Sequence, residues 1–395
     1  MGAGPVGVVA ALACAQRGFR VTLIEAEERI DASPRAATTH PSTLEMIAGL
    51  GLLERFVAEG LVARHFQFWD RPARAKICEF DHDVLRDETP YPFVVQTEQH
   101  KLARMGIEAL RALPDCAVHF ATRLTHLEQG ADRVRAIAAT SDGPCALTGD
   151  WVIGADGGRS TVRKLLDIEF EGYTWPERFI VLTTTDDFAR ALGCCERSYL
   201  ADPEEWTNLF KVAGDDYQGR WRAVFPTRAD ESDDEALSDA GVRARMGRVL
   251  PGAEGFAVVH RNLYKVHQRV AASFRHGRVF LAGDAAHVNN PIGGLGLNCG
   301  IHDAIELADT LHAVALEGRE AALLDRYERR RRPLNIQYVQ EQTVANKQRL
   351  EERDPRVRAA RFAQLRATAA DPGSHRQFLL RTSLIESARK ARSIA

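Results

Sequence analysis

Two aspartates stand where short apolar runs end, and each begins a turn rich in glycine. Asp284 follows the run 279–282, and Asp156 follows a second such run. Open α/β sheets bind ligands at the carboxyl ends of their strands. After Asp284, the loop 291–298 carries three glycines, so its backbone can approach a ligand closely. Apolar residues then recur at helical spacing over 297–311, which places a helix N-terminus beside the loop. The stretch therefore indicates a site for a large, flat, partly anionic molecule.

A third glycine motif opens the chain. Gly2, Gly4 and Gly7 form the pattern GxGxxG, followed by an alanine-rich helix and by a strand that ends in Glu25. This arrangement is typical of a dinucleotide fold, in which the pyrophosphate lies at the helix N-terminus and the acid bonds a ribose hydroxyl. Because the motif normally follows a strand, we expect the first strand to be missing. We attribute this either to a start assigned too late or to a fragment.

The alternation of strands and helices predicts an α/β fold with two domains and a tail. The Rossmann-like domain, with a parallel sheet and a small antiparallel meander, is assigned to 1–63, 96–172 and 268–345. A mainly antiparallel sheet that binds the substrate is assigned to 64–95 and 173–267. C-terminal helices fill the remainder, 346–395.

Three local expectations accompany this division. The segment 118–120 is expected to join the short antiparallel strands that follow it. The four arginines at 329–332 are expected to form a solvated helix face, and Pro333 is expected to kink or break that helix. Ser160 is expected to cap a short helix after the Asp156 turn.

Composition excludes several classes of protein. The formal net charge of −2 argues against a dedicated nucleic-acid binder. Seven cysteines occur without a CxxC pair, which favours reduced thiols, a cytoplasmic location and no metal site. The sequence has no apolar run of about 18 residues, so no membrane span is expected.

Taken in this order, the three motifs resemble the class A flavoprotein monooxygenases, the para-hydroxybenzoate hydroxylase-like family of FAD-dependent aromatic hydroxylases. The resemblance covers about residues 1–345. The chain departs from the family pattern in its missing first strand and at Glu306, where the family often has asparagine.

The resemblance implies FAD as the cofactor and NAD(P)H as a transient co-substrate. It implies that the backbone at Pro291, Gly296 and Leu297 forms the environment of the flavin and of oxygen, and these three residues are the predicted catalytic residues. The residues it assigns to FAD are Gly2, Gly4, Pro5, Val6, Gly7, Glu25, Arg35, Gln96, Asp156, Gly283, Asp284, Pro291, Gly293, Gly294, Gly296, Leu297 and Asn298.

The implied reaction uses NAD(P)H to reduce FAD, and O2 to form a C4a-hydroperoxide that hydroxylates a phenolic or heteroaromatic small molecule. For the substrate we select Tyr199 and two arginines, Arg220 and Arg222, which share one strand face because side chains alternate along a strand. No single base stands out, and the candidates are His65, Tyr199, Tyr217 and His260. A homodimer is a further expectation.

Two alternatives stay open at this point. The first is a flavin reductase of the same fold that acts on a lipid-like substrate. The second is a non-catalytic or truncated FAD-binding protein, which the missing strand would favour.

Overall fold

The structure, a computed structural model, describes residues 1–33, 37–252 and 255–395. Its strands are β1 (Val21–Ile24), β2 (Thr38–Thr39), β3 (Leu61–Ala63), β4 (His65–Asp70), β5 (Ala75–Asp81), β6 (Val94–Gln96), β7 (Cys116–His119), β8 (Arg123–Gln129), β9 (Val134–Thr140), β10 (Gly143–Gly149), β11 (Val152–Gly154), β12 (Phe170–Thr184), β13 (Arg197–Ala201), β14 (Thr207–Val212), β15 (Arg220–Pro226), β16 (Val258–Ala271), β17 (Arg275–His276), β18 (Val279–Leu281) and β19 (His287–Val288).

Its helices are α1 (Pro5–Gln16), α2 (Pro41–Gly49), α3 (Leu53–Ala58), α4 (Gln99–Arg111), α5 (Thr161–Leu165), α6 (Phe188–Leu192), α7 (Asp233–Leu237), α8 (Asp239–Val249), α9 (Leu295–Ala315), α10 (Asp325–Asn335), α11 (Glu341–Leu350), α12 (Pro355–Ala370), α13 (Pro372–Thr382) and α14 (Ile385–Ser393). Short 3-10 turns cover His82–Leu85, Gly283–Ala285 and Ala321–Leu324. The π-helical turn Ile336–Gln340 joins α10 to α11.

Two parallel strand pairs carry the three motifs. β1 pairs with β7, and β11 pairs with β18, which β17 extends. The backbone at the start of the chain lies between the two pairs: Gly2 donates to the carbonyl of Ile24 at 2.8 Å, and Met1 accepts from the Ala155 amide at 2.8 Å. The motifs therefore meet at one edge of the parallel strands.

The expectation for the segment 118–120 is wrong in one respect. Residues 116–119 form β7, which runs parallel to β1 and does not join the antiparallel strands that follow. Helix α4 precedes β7, and a helical crossover between two neighbouring strands makes them parallel. The predicted meander is formed by β8, β9 and β10 alone.

A large mixed sheet forms most of the region assigned to substrate binding. Its eight strands follow the order β19-β16-β12-β15-β14-β13-β4-β5, with antiparallel pairing except between β13 and β4. β12 and β16 pair from Phe170 opposite Ala271 to Thr184 opposite Val258. These two strands run across the predicted domain boundaries, so each belongs in part to the predicted FAD-binding domain and in part to the predicted substrate domain.

The C-terminal helices close one side of this sheet. Helices α12 and α13 pack against β5 and the adjoining 3-10 turn, while α14 packs against α2 and α10. Pro333 lies inside α10 and does not end it, and a π turn follows α10 directly. The predicted boundary at residue 345 falls inside α11, and the domain division stays a prediction. Within the described ranges, no helix is long and apolar enough to cross a membrane.

Candidate functional site

The three glycines of the first motif play different spatial roles. A Cβ on Gly7 would lie 1.9 Å from the Gly2 carbonyl oxygen, and one on Gly2 would lie 2.4 Å from the carbonyl oxygen of Ala155. Both glycines therefore allow the glycine turn to pack closely against the first turn of α1 and against Ala155, the residue that follows β11. Gly4, the N-cap of α1, faces open space, and no side chain of the described residues caps this helix. Amide groups at an uncapped helix N-terminus attract phosphate, so this opening fits a pyrophosphate.

Glu25 belongs to the same corner. One of its carboxylate oxygens accepts a hydrogen bond from the Ala3 amide at 2.6 Å, and the other accepts from the Glu27 amide at 3.0 Å. The carboxylate thus holds the glycine turn in place. Its predicted contact with a ribose stays a prediction.

Val6, on the first turn of α1, brings the first and third motifs together. A Cβ on Gly283 would lie 3.0 Å from the Val6 side chain, and a Cβ on Gly300 would lie 2.6 Å from it. Small residues at these two positions let α1 approach both the Asp284 turn and α9. The motifs are 270 residues and more apart in sequence, and the structure places them in direct contact.

Asp156 is engaged by its own helix. It accepts from the Ser160 hydroxyl at 2.5 Å and from the Thr161 amide at 2.7 Å. Ser160 accepts from the Arg163 amide at 2.9 Å, so the predicted cap of α5 is confirmed. Arg163 then donates to the carbonyl oxygens of Gly158 at 2.8 Å and Ala285 at 2.7 Å, which ties the two acidic turns together.

Asp284 is exposed on a turn whose neighbours, Gly283 and Ala285, are buried. A buried carboxylate supports this turn from beneath: Asp303, on α9, accepts from the Gly283 amide at 3.1 Å. Asp303 also accepts from His287 at 2.7 Å and from Arg331 at 2.6 Å. The turn that presents Asp284 is therefore held by a buried ion network of Asp303, His287 and Arg331.

This network contradicts the expectation of a solvated arginine run. Arg331 is only 2% exposed, and neighbouring arginines pair with Glu306 and Glu171. Helix α10 lies against α9, so the run faces acidic groups that the local sequence does not reveal. Glu306, the departure from the family pattern, accepts a hydrogen bond from Arg330 at 2.9 Å.

The network also shifts two pKa values. Burial alone would lower the pKa of His287, but the neighbouring Cys299 and Asp303 raise it to about 10. Burial would raise the pKa of Asp303, but the charges of Arg331 and His287 keep it below its ordinary value. The ligand atoms of His287, Cys299 and Asp303 lie within 4.8 Å of one another, a spacing that a metal ion could use. A metal would have to displace both charged donors from Asp303, so we assign the cluster a structural role.

The glycine loop is held from two sides. Asn298 accepts from the His40 amide at 2.8 Å and donates to the Thr38 carbonyl at 2.9 Å, which fixes the start of α9. His40 contacts the Gly293 carbonyl through Nε2 at 2.9 Å, and Asn346 donates to the Ile292 carbonyl at 3.0 Å. Burial and the nearby Arg197 charge hold the pKa of His40 well below its ordinary value, so its ring is neutral.

The remaining residues of this loop complete its shape. Pro291 accepts from the Gly294 amide at 3.0 Å, which closes the turn before α9. A Cβ on Gly296 would lie 2.9 Å from the Asn289 side chain, and Leu297 packs half-buried against the main core. The predicted flavin contacts of this loop stay predictions.

Two further predicted cofactor residues have different outcomes. Gln96 is fully buried; it accepts from the Thr38 hydroxyl at 2.6 Å and donates to the Glu196 carbonyl at 3.0 Å. It therefore links β6 to β2 and to Glu196, the residue that precedes β13. Arg35 lies outside the described residues.

A cavity with about 390 Å³ of empty space, part of it open to solvent, lies between the glycine loop and the large sheet. Its lining is mostly aromatic and aliphatic, with a few neutral polar groups from the C-terminal helices. The lining residues are Phe66, Phe68, Arg197, Tyr199, Ile292, Gly293, Leu295, Gln342, Asn346, Leu350, Phe378 and Thr382. Gly293, which is predicted to border the flavin, and Tyr199, which is predicted to contact the substrate, thus line the same cavity.

Of the three predicted substrate residues, one lines this cavity and two do not. Tyr199 lines it, and Arg222 is buried on the same face of the sheet, in register with Phe210. Arg220 shares that face, but it pairs with Asp216 and lies outside the lining. Arg197, which the sequence analysis did not select, lines the cavity two positions before Tyr199. The period of two along β13 is the signal that could have found it.

Of the four candidate bases, Tyr199 alone lines this cavity within the described chain. Tyr217 and His260 are exposed, and His65 faces the carboxylates of Glu79 and Asp81 at the far side of β4.

The chain matches the family described as FAD binding domain over residues 1–342. It is 34% identical over 387 residues to para-nitrophenol 4-monooxygenase from Pseudomonas sp. (strain WBC-3), with 96% of this chain and 93% of that protein covered. It is 35% identical to 6-hydroxy-3-succinoylpyridine 3-monooxygenase from Pseudomonas putida (strain DSM 28022 / S16), with 90% and 89% covered.

Solved structures agree with these relatives. A p-nitrophenol 4-monooxygenase from Pseudomonas putida DLL-E4 superposes with a TM-score of 0.91 at 32% identity, covering 98% of this chain and 96% of that one. An aklavinone-11 hydroxylase in a ternary complex with FAD and aklavinone superposes with a TM-score of 0.77 at 28% identity, covering 88% and 68%.

Proposed function

The chain belongs to the family of FAD-dependent aromatic hydroxylases, and on that premise we propose that it hydroxylates a small phenolic or heteroaromatic ring, with NAD(P)H as reductant. One atom of O2 enters the ring, and the other leaves as water with the electrons of NAD(P)H. The observation that carries the proposal is the aromatic cavity between the glycine loop and the sheet.

FAD, when bound, supplies the activation of O2. The open N-terminus of α1 at Gly4 would hold its pyrophosphate, and the exposed carboxylate of Asp284 would accept from a hydroxyl of its sugar chain. The backbone from Pro291 to Asn298 would border its ring. These assignments rest on the open and exposed positions within an otherwise close-packed corner.

The protein's own part in the reaction is to orient the ring and to exclude water. The loop that faces the cavity is fixed by His40, Asn298 and Asn346, so the position of the bound ring relative to it is fixed as well. The apolar walls keep water away from the reacting atoms. The oxygen-transfer route implied by the resemblance, the cytoplasmic location and a homodimer stay predictions.

The test is NAD(P)H oxidation in air by the FAD-loaded protein, with 4-nitrophenol, other substituted phenols and hydroxypyridines as trial substrates. We expect a ring compound to stimulate NAD(P)H use, with O2 consumed and a hydroxylated product formed. A reductase would turn over without O2, and a non-catalytic protein would leave NAD(P)H unchanged with every compound. Either outcome would contradict the proposal.

A further inference from the structure

The side of the cavity that the C-terminal helices form carries an ordered chain of polar groups. This helix wall consists of Gln342, Asn346, Leu350, Phe378 and Thr382. Gln342 donates to Oδ1 of Asn346 at 2.9 Å, and Nδ2 of Asn346 donates to the Ile292 carbonyl at 3.0 Å. Arg349, one turn further along α11, donates to the same Oδ1 at 3.0 Å. Because a guanidinium has donors only, the Asn346 amide is oriented with its oxygen towards Arg349 and its nitrogen towards the glycine loop.

Two members of this chain keep donors that no described residue accepts from. Gln342 gives one N–H to Asn346, and within the described residues its second N–H has no partner. Arg349 uses Nη1 alone, so Nε and Nη2 have no partner within the same ranges. Its side chain turns back to Asn346 and not to the last carbonyl groups of α11, so it does not cap that helix. These donors are available for a ligand.

Arg349 is half-buried, and no described carboxylate neutralises its charge. Within residues 1–33, 37–252 and 255–395, none lies within 4.0 Å of its guanidinium. The two acids that follow it bond elsewhere, Glu351 to Lys347 at 2.6 Å and Glu352 to Arg361 at 3.1 Å. Burial and the charge of the neighbouring Arg361 lower the pKa of Arg349. An oxygen atom with a full or partial negative charge would therefore be stabilised beside it.

The Arg349 guanidinium lies at the edge of the cavity. Its central carbon is 5.9 Å from the centroid of Phe68, which lines the cavity. The cation on the opposite wall, Arg197, bonds to neutral oxygen atoms of the protein. Its Nε and Nη2 donate to the Tyr199 hydroxyl at 3.2 and 3.0 Å, and Nη2 also donates to the Gly293 carbonyl at 3.4 Å. Arg197 thus holds the glycine loop, whereas Arg349 keeps two nitrogens for a ligand.

Resting on the proposed function, we propose that Gln342 and Arg349 form a subsite for an oxygen-bearing substituent of the substrate ring, such as a carbonyl, nitro or carboxylate group. The substituent accepts hydrogen bonds from the second N–H of Gln342 and from Arg349. An alkyl substituent of the same size offers no acceptor and leaves both donors unbonded, which weakens its binding. An ammonium substituent is repelled by Arg349 and Arg361. The pair therefore selects the substrate by the substituent that it carries besides its ring hydroxyl.

The test compares 4-hydroxyacetophenone with 4-ethylphenol, which share a carbon skeleton and differ by one carbonyl oxygen. Each is titrated into the FAD-loaded protein at a pH where both are neutral in solution, and the change in flavin absorbance gives its Kd. We expect the wild type to bind the ketone about tenfold more tightly or better. Gln342→Leu and Arg349→Met should each reduce this ratio to about twofold or less, because each removes a donor to the carbonyl oxygen. Arg349→Lys, which keeps the charge, should retain part of the ratio.

Controls separate a lost hydrogen bond from a loosened cavity. Arg353→Met, at an exposed position four residues further on, should keep the wild-type ratio. Equal flavin absorbance per protein in all variants shows that each is folded and loaded. A variant that only loosens the cavity weakens both compounds by the same factor and leaves the ratio unchanged.

The outcomes distinguish this inference from the proposed function. If the wild type binds the two compounds equally well, or if Gln342→Leu and Arg349→Met leave the ratio unchanged, the inference is wrong and the proposed function stands. If no phenol binds and none stimulates NAD(P)H use, both are wrong.

Discussion

Two buried arginines, Arg331 and Arg197, sit in opposite environments. Arg331 is bonded to the Asp303 carboxylate at 2.6 Å, inside a network that also contains His287. Arg197 is equally buried, but its strongest partner is the neutral hydroxyl of Tyr199. The first charge is fully compensated by the protein, and the second is compensated only in part. The difference separates an arginine that a buried carboxylate neutralises from one whose hydrogen-bond partners are neutral oxygen atoms.

The same contrast recurs in the cofactor corner. Asp303 is buried and bonded by three groups, whereas Asp284 is exposed on the turn above it. Gly7 packs against its neighbours, whereas Gly4 faces open space. Each pair combines one group that is packed against protein with one that is exposed or has open space beside it. This contrast assigns roles more sharply than residue type does.

Replacement of the two arginines by methionine should give the largest difference. Arg331→Met leaves Asp303 buried without its main counter-charge, and we expect a loss of about 3–5 kcal/mol in the free energy of unfolding. Arg197→Met should change that free energy by less than about 1 kcal/mol, since the cation it removes is poorly compensated. Urea unfolding of the FAD-loaded proteins measures both, and equal losses would remove the distinction.

The pH dependence of the free energy of unfolding tests whether His287 is charged within the buried network. The folded pKa of His287, about 10, lies above its unfolded value, so its contribution is fully present below about pH 6.5 and is lost as the pH rises towards 10. We expect a loss on the order of a few kcal/mol over this window. His287→Gln should flatten the slope, while His276→Gln, at an exposed ring, should keep it. A wild type with no slope would show that His287 is neutral in the fold.

The two glycines should separate stability from cofactor binding. Gly7→Ala places a Cβ 1.9 Å from a backbone oxygen, so we expect a loss of about 1–3 kcal/mol or a failure to fold. Gly4→Ala meets no protein atom within 4 Å and should fold normally, yet retain less flavin. Thermal unfolding and flavin absorbance per protein distinguish the two effects. Full flavin retention in Gly4→Ala would mean that its open side is not the pyrophosphate site.

Asp284 should show the smallest effect on stability together with a clear loss of flavin. Asp284→Ala removes an exposed carboxylate, and we expect FAD to bind about tenfold less tightly or worse, as for the loss of a charge-assisted hydrogen bond. Asp132→Ala, at a side chain that is 95% exposed, is the matched control. Flavin retention equal to the control would contradict the assigned role.

Local patterns predicted the backbone parts of this molecule well. The glycine turns, the Ser160 cap and the start of α9 depend on residues a few positions apart, and the structure contains all of them. Tertiary partners decided the rest. Arg331 bonds to Asp303, which is 28 positions away in the sequence. Arg197 lines a cavity whose other wall comes from the C-terminal helices, so its surroundings could not be read from neighbouring residues. Asp156, predicted as a cofactor residue, also accepts hydrogen bonds from its own helix, and its contact with FAD stays a prediction.

The most direct test of the account is the fate of oxygen when the FAD-loaded protein turns over a phenol under isotopically labelled O2. The account predicts a hydroxylated product that carries one labelled atom on its ring, with NAD(P)H and product in equal amounts. NAD(P)H consumption that yields only hydrogen peroxide, or a product without label, would contradict it.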